Sequence, residues 1–119
     1  MDVGERFEHS YETLEHLRAE LLDAREAARD APSQWGGWSV RFNQRLRSDR
    51  QRLAILLSPP EAADPRLKAL YDAAAAIRAL WDAMNLAVAG RPADVAAARV
   101  GMERAMHRAR EALEQRRDP

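Results

Sequence analysis

Apolar residues recur through the first thirty positions at Val3, Phe7, Leu14, Leu17, Leu21, Ala24 and Ala28, with Ser10 in the one polar slot. The steps alternate 4 and 3, a heptad seam along one side of a helix. A second such seam, Leu67, Leu70, Ala74, Ile77, Trp81, Met84 and Val88, runs through residues 65–89. Between the two, Phe42, Leu46, Leu53, Leu56 and Leu57 trace a third apolar line, broken in the middle by Asp49. A fourth line, Val95, Ala98, Met102, Ala105, Ala109 and Ala112, is made mostly of small residues. Small side chains let two helix backbones approach closely, so the third and fourth segments are expected to form a tight antiparallel hairpin joined at 89–92. No strand-like alternation lasts beyond a few residues.

Local punctuation divides these lines into four helices, at about 2–30, 39–57, 65–89 and 92–117. Pro32 disfavours the helical conformation of Ala31 and closes the first. Residues 33–38, with Gly36-Gly37, then suggest a Trp-rich turn, and Ser39 a helix cap. Asp64-Pro65 has the order of cap and first helical residue, Gly90 suits a helix end, and Arg91-Pro92 suggests the start of the last helix. The fold class expected is all-α: one domain over 1–119, a four-helix bundle with up-down antiparallel connections. At 1.5 Å per residue, helices one, three and four would span roughly 38–44 Å and helix two only about 28 Å. One short helix among three long ones leaves apolar seam uncovered, to be closed either by the Trp-rich turn folding over it or by a second copy of the chain. Trp81, inside an unbroken seam, is expected in the core, and Trp38, after two glycines, only partly buried.

Composition narrows the class further. The chain has 119 residues, 46% hydrophobic and 32% charged, with 19 basic and 19 acidic side chains and no cysteine. Disulfides and thiolate chemistry are thereby excluded. No run approaches the ~20 apolar residues of a membrane-spanning helix, and the start lacks the basic-then-apolar pattern of a secretory signal. The expectation is a cytoplasmic protein. The neutral total hides a segregation. Residues 1–31 carry nine acids against four arginines, whereas residues 32–60 carry five arginines against Asp49 alone. An acidic and a basic helix attract each other as antiparallel neighbours.

The most distinctive stretch is Trp35-Gly36-Gly37-Trp38-Ser39-Val40-Arg41-Phe42, followed by Arg45, Arg47, Arg50 and Arg52. Trp and Arg dominate protein–protein hot spots, which makes Trp35, Trp38, Arg41, Arg45 and Arg52 the candidate partner-binding residues. The same residue types grip phosphates and stack on bases, or rest on an anionic surface. The structural alternative is that both tryptophans cap the open end of the bundle while the arginines pair with helix one. His9, Glu12 and His16 share a face of helix one and form a weak candidate set of nitrogen and oxygen metal ligands, though the spacing matches no established motif. His107 lies one turn after Glu103.

Catalytic signatures are lacking. The serines have no elbow glycines, and Gly36-Gly37 is not followed by the Lys-Ser/Thr of a phosphate loop. The acidic pairs Glu12/Glu15 and Glu61/Asp64 do not make up the magnesium motifs of all-helical nucleoside-triphosphate pyrophosphohydrolases, whose leading paired glutamates are missing. The expected function is therefore non-enzymatic: a small intracellular helical interaction or assembly module, self-associating as a homodimer, needing no cofactor, with a protein partner at the 35–42 turn. The alternative is a nucleic-acid or other polyanion-binding protein working through the Arg-rich second helix. An enzyme of unspecified reaction comes third.

Overall fold

The computed structural model describes residues 3–30, 32–55 and 64–115. Four helices follow in order: α1 Val3–Asp30, α2 Trp35–Ile55, α3 Pro65–Val88 and α4 Val95–Gln115. The described residues hold no strand, and the fold is all-α. The helix ends are chemically explicit. Asp64 is extended at φ −70°, ψ 122°, and its carboxylate accepts from the Arg66 backbone N–H at 2.9 Å while Pro65 takes the first helical position. At the other end of α3, Gly90 adopts φ +76°. The Arg91 N–H then reaches Leu86 O and the Gly90 N–H reaches Ala87 O. This is a Schellman closure, which needs a residue tolerant of positive φ.

Two sequence expectations need correction here. The last helix does not start at Arg91-Pro92. Asp94 is its cap, with the Ala97 N–H donating to Asp94 Oδ1 at 2.9 Å, so α4 begins at Val95. Nor does α2 begin at Ser39. A 3-10 turn, Pro32–Gln34, leads directly into a helix starting at Trp35, and Gly36 and Gly37 are helical with no positive φ. Two glycines in a helix cost about 1 kcal/mol each relative to alanine, and the contacts of Trp35 described below offset that cost. The helices accordingly have 28, 21, 24 and 21 residues. With α2 as long as α4, helix length gives no ground for a second copy. The side chains of Val3, Ala28, Arg52 and Leu53, the positions Leu56 and Leu57, and the end proposed at 116–117 lie outside the described residues.

Cross-helix contacts fix the directions. Phe42 faces Trp81 and Trp35 reaches Asn85, so α2 and α3 are antiparallel. Glu8 pairs with Arg110 and Arg18 with Glu103, so α1 and α4 are antiparallel too. The connections run up-down throughout, in a body of 49 × 24 × 19 Å. α1 and α3 pack on each other and on both flanking helices, and α3 and α4 make the closest pair. Their approach is allowed by Ala73, Ala74, Ala105 and Ala109, all buried.

The core follows the seams with local changes. Phe7, Leu14, Leu17, Leu21 and Ala24 are buried from α1, together with Ser10 and the adjacent Tyr11. On α3, Leu67, Leu70, Ala74, Ile77 and Met84 are buried as the spacing implies, but Ala73 and Leu80 join them. Trp81 is only partly buried against this cluster, and Val88 is exposed. α4 adds Met106 and Leu113 to Met102, Ala105 and Ala109. Around the core, α1 is ion-paired on both sides: Arg45 of α2 with Glu20 and Arg110 of α4 with Glu8, while its own Arg18 forks onto Glu103 of α4 with Nε 2.9 and 3.0 Å from its two oxygens. Such partly exposed pairs add about 0.2–1 kcal/mol each, so they select neighbours more than they stabilise.

Tyr11 gives a test of this packing. Burial, reinforced by a hydrogen bond to the Glu15 carboxylate, pushes its phenol from 10 up to about 12. The folded state therefore holds this proton where the unfolded chain has lost it. Stability from Tyr11 is fully present below pH 10 and is lost as pH rises toward 12, at about 1.4 kcal/mol per unit. Urea titrations between pH 9 and 12 are expected to show this decline, and Tyr11→Phe to remove that share of it; an unchanged slope in the variant would refute the assignment.

Candidate functional site

The distinctive stretch forms the first two turns of α2, and its aromatic residues fall at 35, 38 and 42, the 3-then-4 spacing of one helix face. They stack in series. Trp35 and Trp38 lie 4.8 Å apart, Trp38 and Phe42 5.1 Å, and Phe42 continues to Trp81 of α3 at 6.3 Å. Trp35 is the deepest tryptophan, 8% exposed. Its indole N–H donates to Asn85 Oδ1 at 2.7 Å, and the Ser39 hydroxyl donates to the same oxygen at 3.3 Å. One carboxamide on α3 thus holds the start of α2. Arg78 covers the Trp81 ring at 4.8 Å, while the Trp81 indole N–H is buried with no hydrogen-bond partner among the described residues.

Five residues were singled out for partner binding, and the structure separates them. Trp35 is core and presents no surface. Trp38 is partly buried, as expected, and Arg41 and Arg45 are exposed. These three line an open groove between α1 and α2. The side chain of Arg52 lies outside the described residues. The larger part of the groove, about 680 Å³, is lined by Thr13, His16, Leu17, Glu20, Arg41, Gln44, Arg45, Ser48 and Asp49. A smaller part, about 400 Å³, is lined by Glu20, Asp23, Ala24, Trp38, Arg41, Phe42 and Arg45. Asp49, which breaks the apolar line of α2, is 2% exposed at the floor. The arginines therefore face carboxylates of both helices, and a ligand entering the groove meets both signs of charge.

Neither metal nor nucleophilic chemistry gains a centre from this arrangement. His9, Glu12 and His16 are all exposed on α1, and no three His or acidic side chains among the described residues converge to hold a metal ion. Ser48 and His16 share the groove, but no hydrogen bond joins them. His107 pairs with Glu111 at 2.8 Å, not with Glu103, which is held by Arg18.

A different surface emerges at the end of the bundle where α2 starts, α3 ends and α4 starts. Among the described residues the exposed large hydrophobics are Val40, Leu86, Val88 and Val100; all four lie within two turns of this end, with Val40 and Val100 on the faces of α2 and α4 turned away from their buried residues. Residues 32–40 and 83–90 contain no charged side chain. Sequence reasoning passed over this surface because it is assembled from three separate segments, each unremarkable alone. The buried role of Trp35 was more accessible: the 35, 38, 42 spacing continues the apolar line of α2 backward through the two glycines.

No protein-family model, curated protein or solved structure matches the chain.

The three tryptophans are expected to differ in cost when truncated. Trp35→Ala loses a fully packed indole and strands Asn85, for a loss on the order of 3–5 kcal/mol. Trp38→Ala and Trp81→Ala, both partly exposed, are expected to lose clearly less. Urea denaturation of the three single variants checks the order; Trp81→Ala as the most damaging would return the anchor to α3.

Proposed function

We propose that the protein is a small non-enzymatic helical association module, acting in the cytoplasm, that pairs with a second copy of itself through the apolar end of the bundle. The observation that carries this is that Val40, Leu86, Val88 and Val100, 40–60% exposed, all lie within two turns of that one end of the helices. Exposed aliphatic residues scattered singly are normal on any protein. Four within two turns of one end, contributed by three helices, exceed a single scattered residue, and an end rich in exposed aliphatic side chains supports an interaction surface there.

Magnitudes allow only a weak, reversible complex. Each side chain has about half its surface left to bury, worth roughly 1 kcal/mol. A two-fold pair counts the patch twice, for about 8 kcal/mol before the costs of association. After association costs of at least about 4 kcal/mol, about 4 kcal/mol remains, a millimolar constant at the strongest. The small residues at the same end, Gly36, Gly37, Ala89 and Ala97, are exposed and would allow backbones of two copies to come close. Polyanion binding through α2 has less support: Arg45 is neutralised by Glu20, and Arg41 shares its groove with three carboxylates. Counterion release rewards net local positive charge, which this groove lacks.

Sedimentation equilibrium from about 10 µM to about 1 mM tests the proposal. The average mass is expected to rise with concentration above the 13.4 kDa of one chain. In the double variant Leu86→Asp, Val100→Asp it is expected to stay at one chain, with helicity unchanged because both positions are exposed. A single-chain mass throughout for the unmodified protein, or a double variant that still associates, would overturn it.

A further inference from the structure

The α1–α2 groove has a chemistry of its own, independent of the apolar end. The Glu20–Arg45 ion pair bridges its two walls and divides it. Those two charges satisfy each other. In the smaller part, beside this bridge, two charged groups remain: Asp23 on the α1 wall and Arg41 on the α2 wall. Both are exposed, and among the described residues neither forms an ion pair. Between them the floor is apolar. Ala24 and Phe42 are buried, and Trp38 is partly buried and stacked on Phe42 with planes 17° apart.

We propose that this part of the groove binds a small zwitterion with an apolar body, of the chemical class of a free hydrophobic α-amino acid. The Arg41 guanidinium takes the ligand carboxylate, for which its planar fork is shaped. The Asp23 carboxylate takes the ammonium, and the apolar body lies against Trp38 over Phe42. Each half of the ligand alone is a poor match. A simple anion drawn to Arg41 meets Asp23 and Glu20, and a simple cation drawn to Asp23 meets Arg41. Only a molecule carrying both charges with an apolar group pairs every free element of the lining. A space of about 400 Å³ is at the small end of ligand sites and suits one amino acid better than a longer peptide. Because the groove is open to water, its ion pairs are screened and binding is in the millimolar range.

The test is an NMR titration of the full chain with L-phenylalanine and, in parallel, L-leucine, read at the indole N–H of Trp38. The expected result is a saturable shift at low millimolar concentration for at least one of the two. Phenethylamine, which lacks the carboxylate, and 3-phenylpropionate, which lacks the ammonium, are each expected to bind about fivefold more weakly than L-phenylalanine or not at all. Arg41→Gln and Asp23→Asn are expected to weaken the amino acid by a similar factor while leaving the urea midpoint in place, since both side chains are exposed. The proposal is overturned if neither amino acid saturates the shift below about 20 mM. It is equally overturned if the single-charge probes match the zwitterion, or if both variants bind as the unmodified chain does. Oligomeric state under the same conditions is read separately, so loss of one result leaves the other standing.

Discussion

A single carboxamide oxygen, Asn85 Oδ1, receives both the Trp35 indole and the Ser39 hydroxyl. A partly buried hydrogen bond of this kind contributes only about 1 kcal/mol net, yet leaving its groups unmade costs more, because they have been taken out of water. The pairing therefore acts chiefly as a geometric requirement. It fixes the first turn of α2 against the last turn of α3, and the rest of α2 follows from that origin. Trp38 and Phe42 continue the face that Trp35 begins, and Phe42 meets Trp81. The opposite side of the same turns is left to present Gly36, Gly37 and Val40 to solvent.

Charge segregation completes the arrangement. α1 is acidic and is met by Arg45 from α2 and by Arg110 from α4, while its own Arg18 holds Glu103. The basic character of residues 32–60 is thus spent partly within the molecule. What is left over is specific: an exposed arginine and an exposed aspartate lining one groove, and an end with exposed aliphatic side chains on three helices. These two surfaces differ in kind. One offers opposite charges around an aromatic floor. The other offers exposed aliphatic side chains from three helices.

Much of the fold was legible in the chain because heptad spacing and capping chemistry are local. The α1 seam from Phe7 to Ala24 and the Asp64-Pro65 start were readable one residue at a time, and so was the Gly90 end. Legibility failed where long-range contacts overrode local preference. Gly36-Gly37 has a strong turn signal, but the Trp35–Asn85 bond spans 50 positions and holds those glycines in a helix. Trp81 sits on the seam by spacing, yet a wide indole on a helix beside α2 is pushed to its flank, and the slimmer Ala73 and Leu80 fill the centre. The groove was half visible: its arginines stood out, but Asp23 and Asp49 acquire meaning only when α1 and α2 are laid side by side. The apolar end was not legible, since three segments meet there only after folding.

Native-state amide hydrogen exchange on Asn85→Ala examines whether that carboxamide is the origin of α2 placement. Exchange is expected to quicken selectively over residues 35–46, with the α3–α4 hairpin keeping its protection. A uniform loss of protection across all four helices, or an α2 as protected as before, would contradict the role assigned to Asn85.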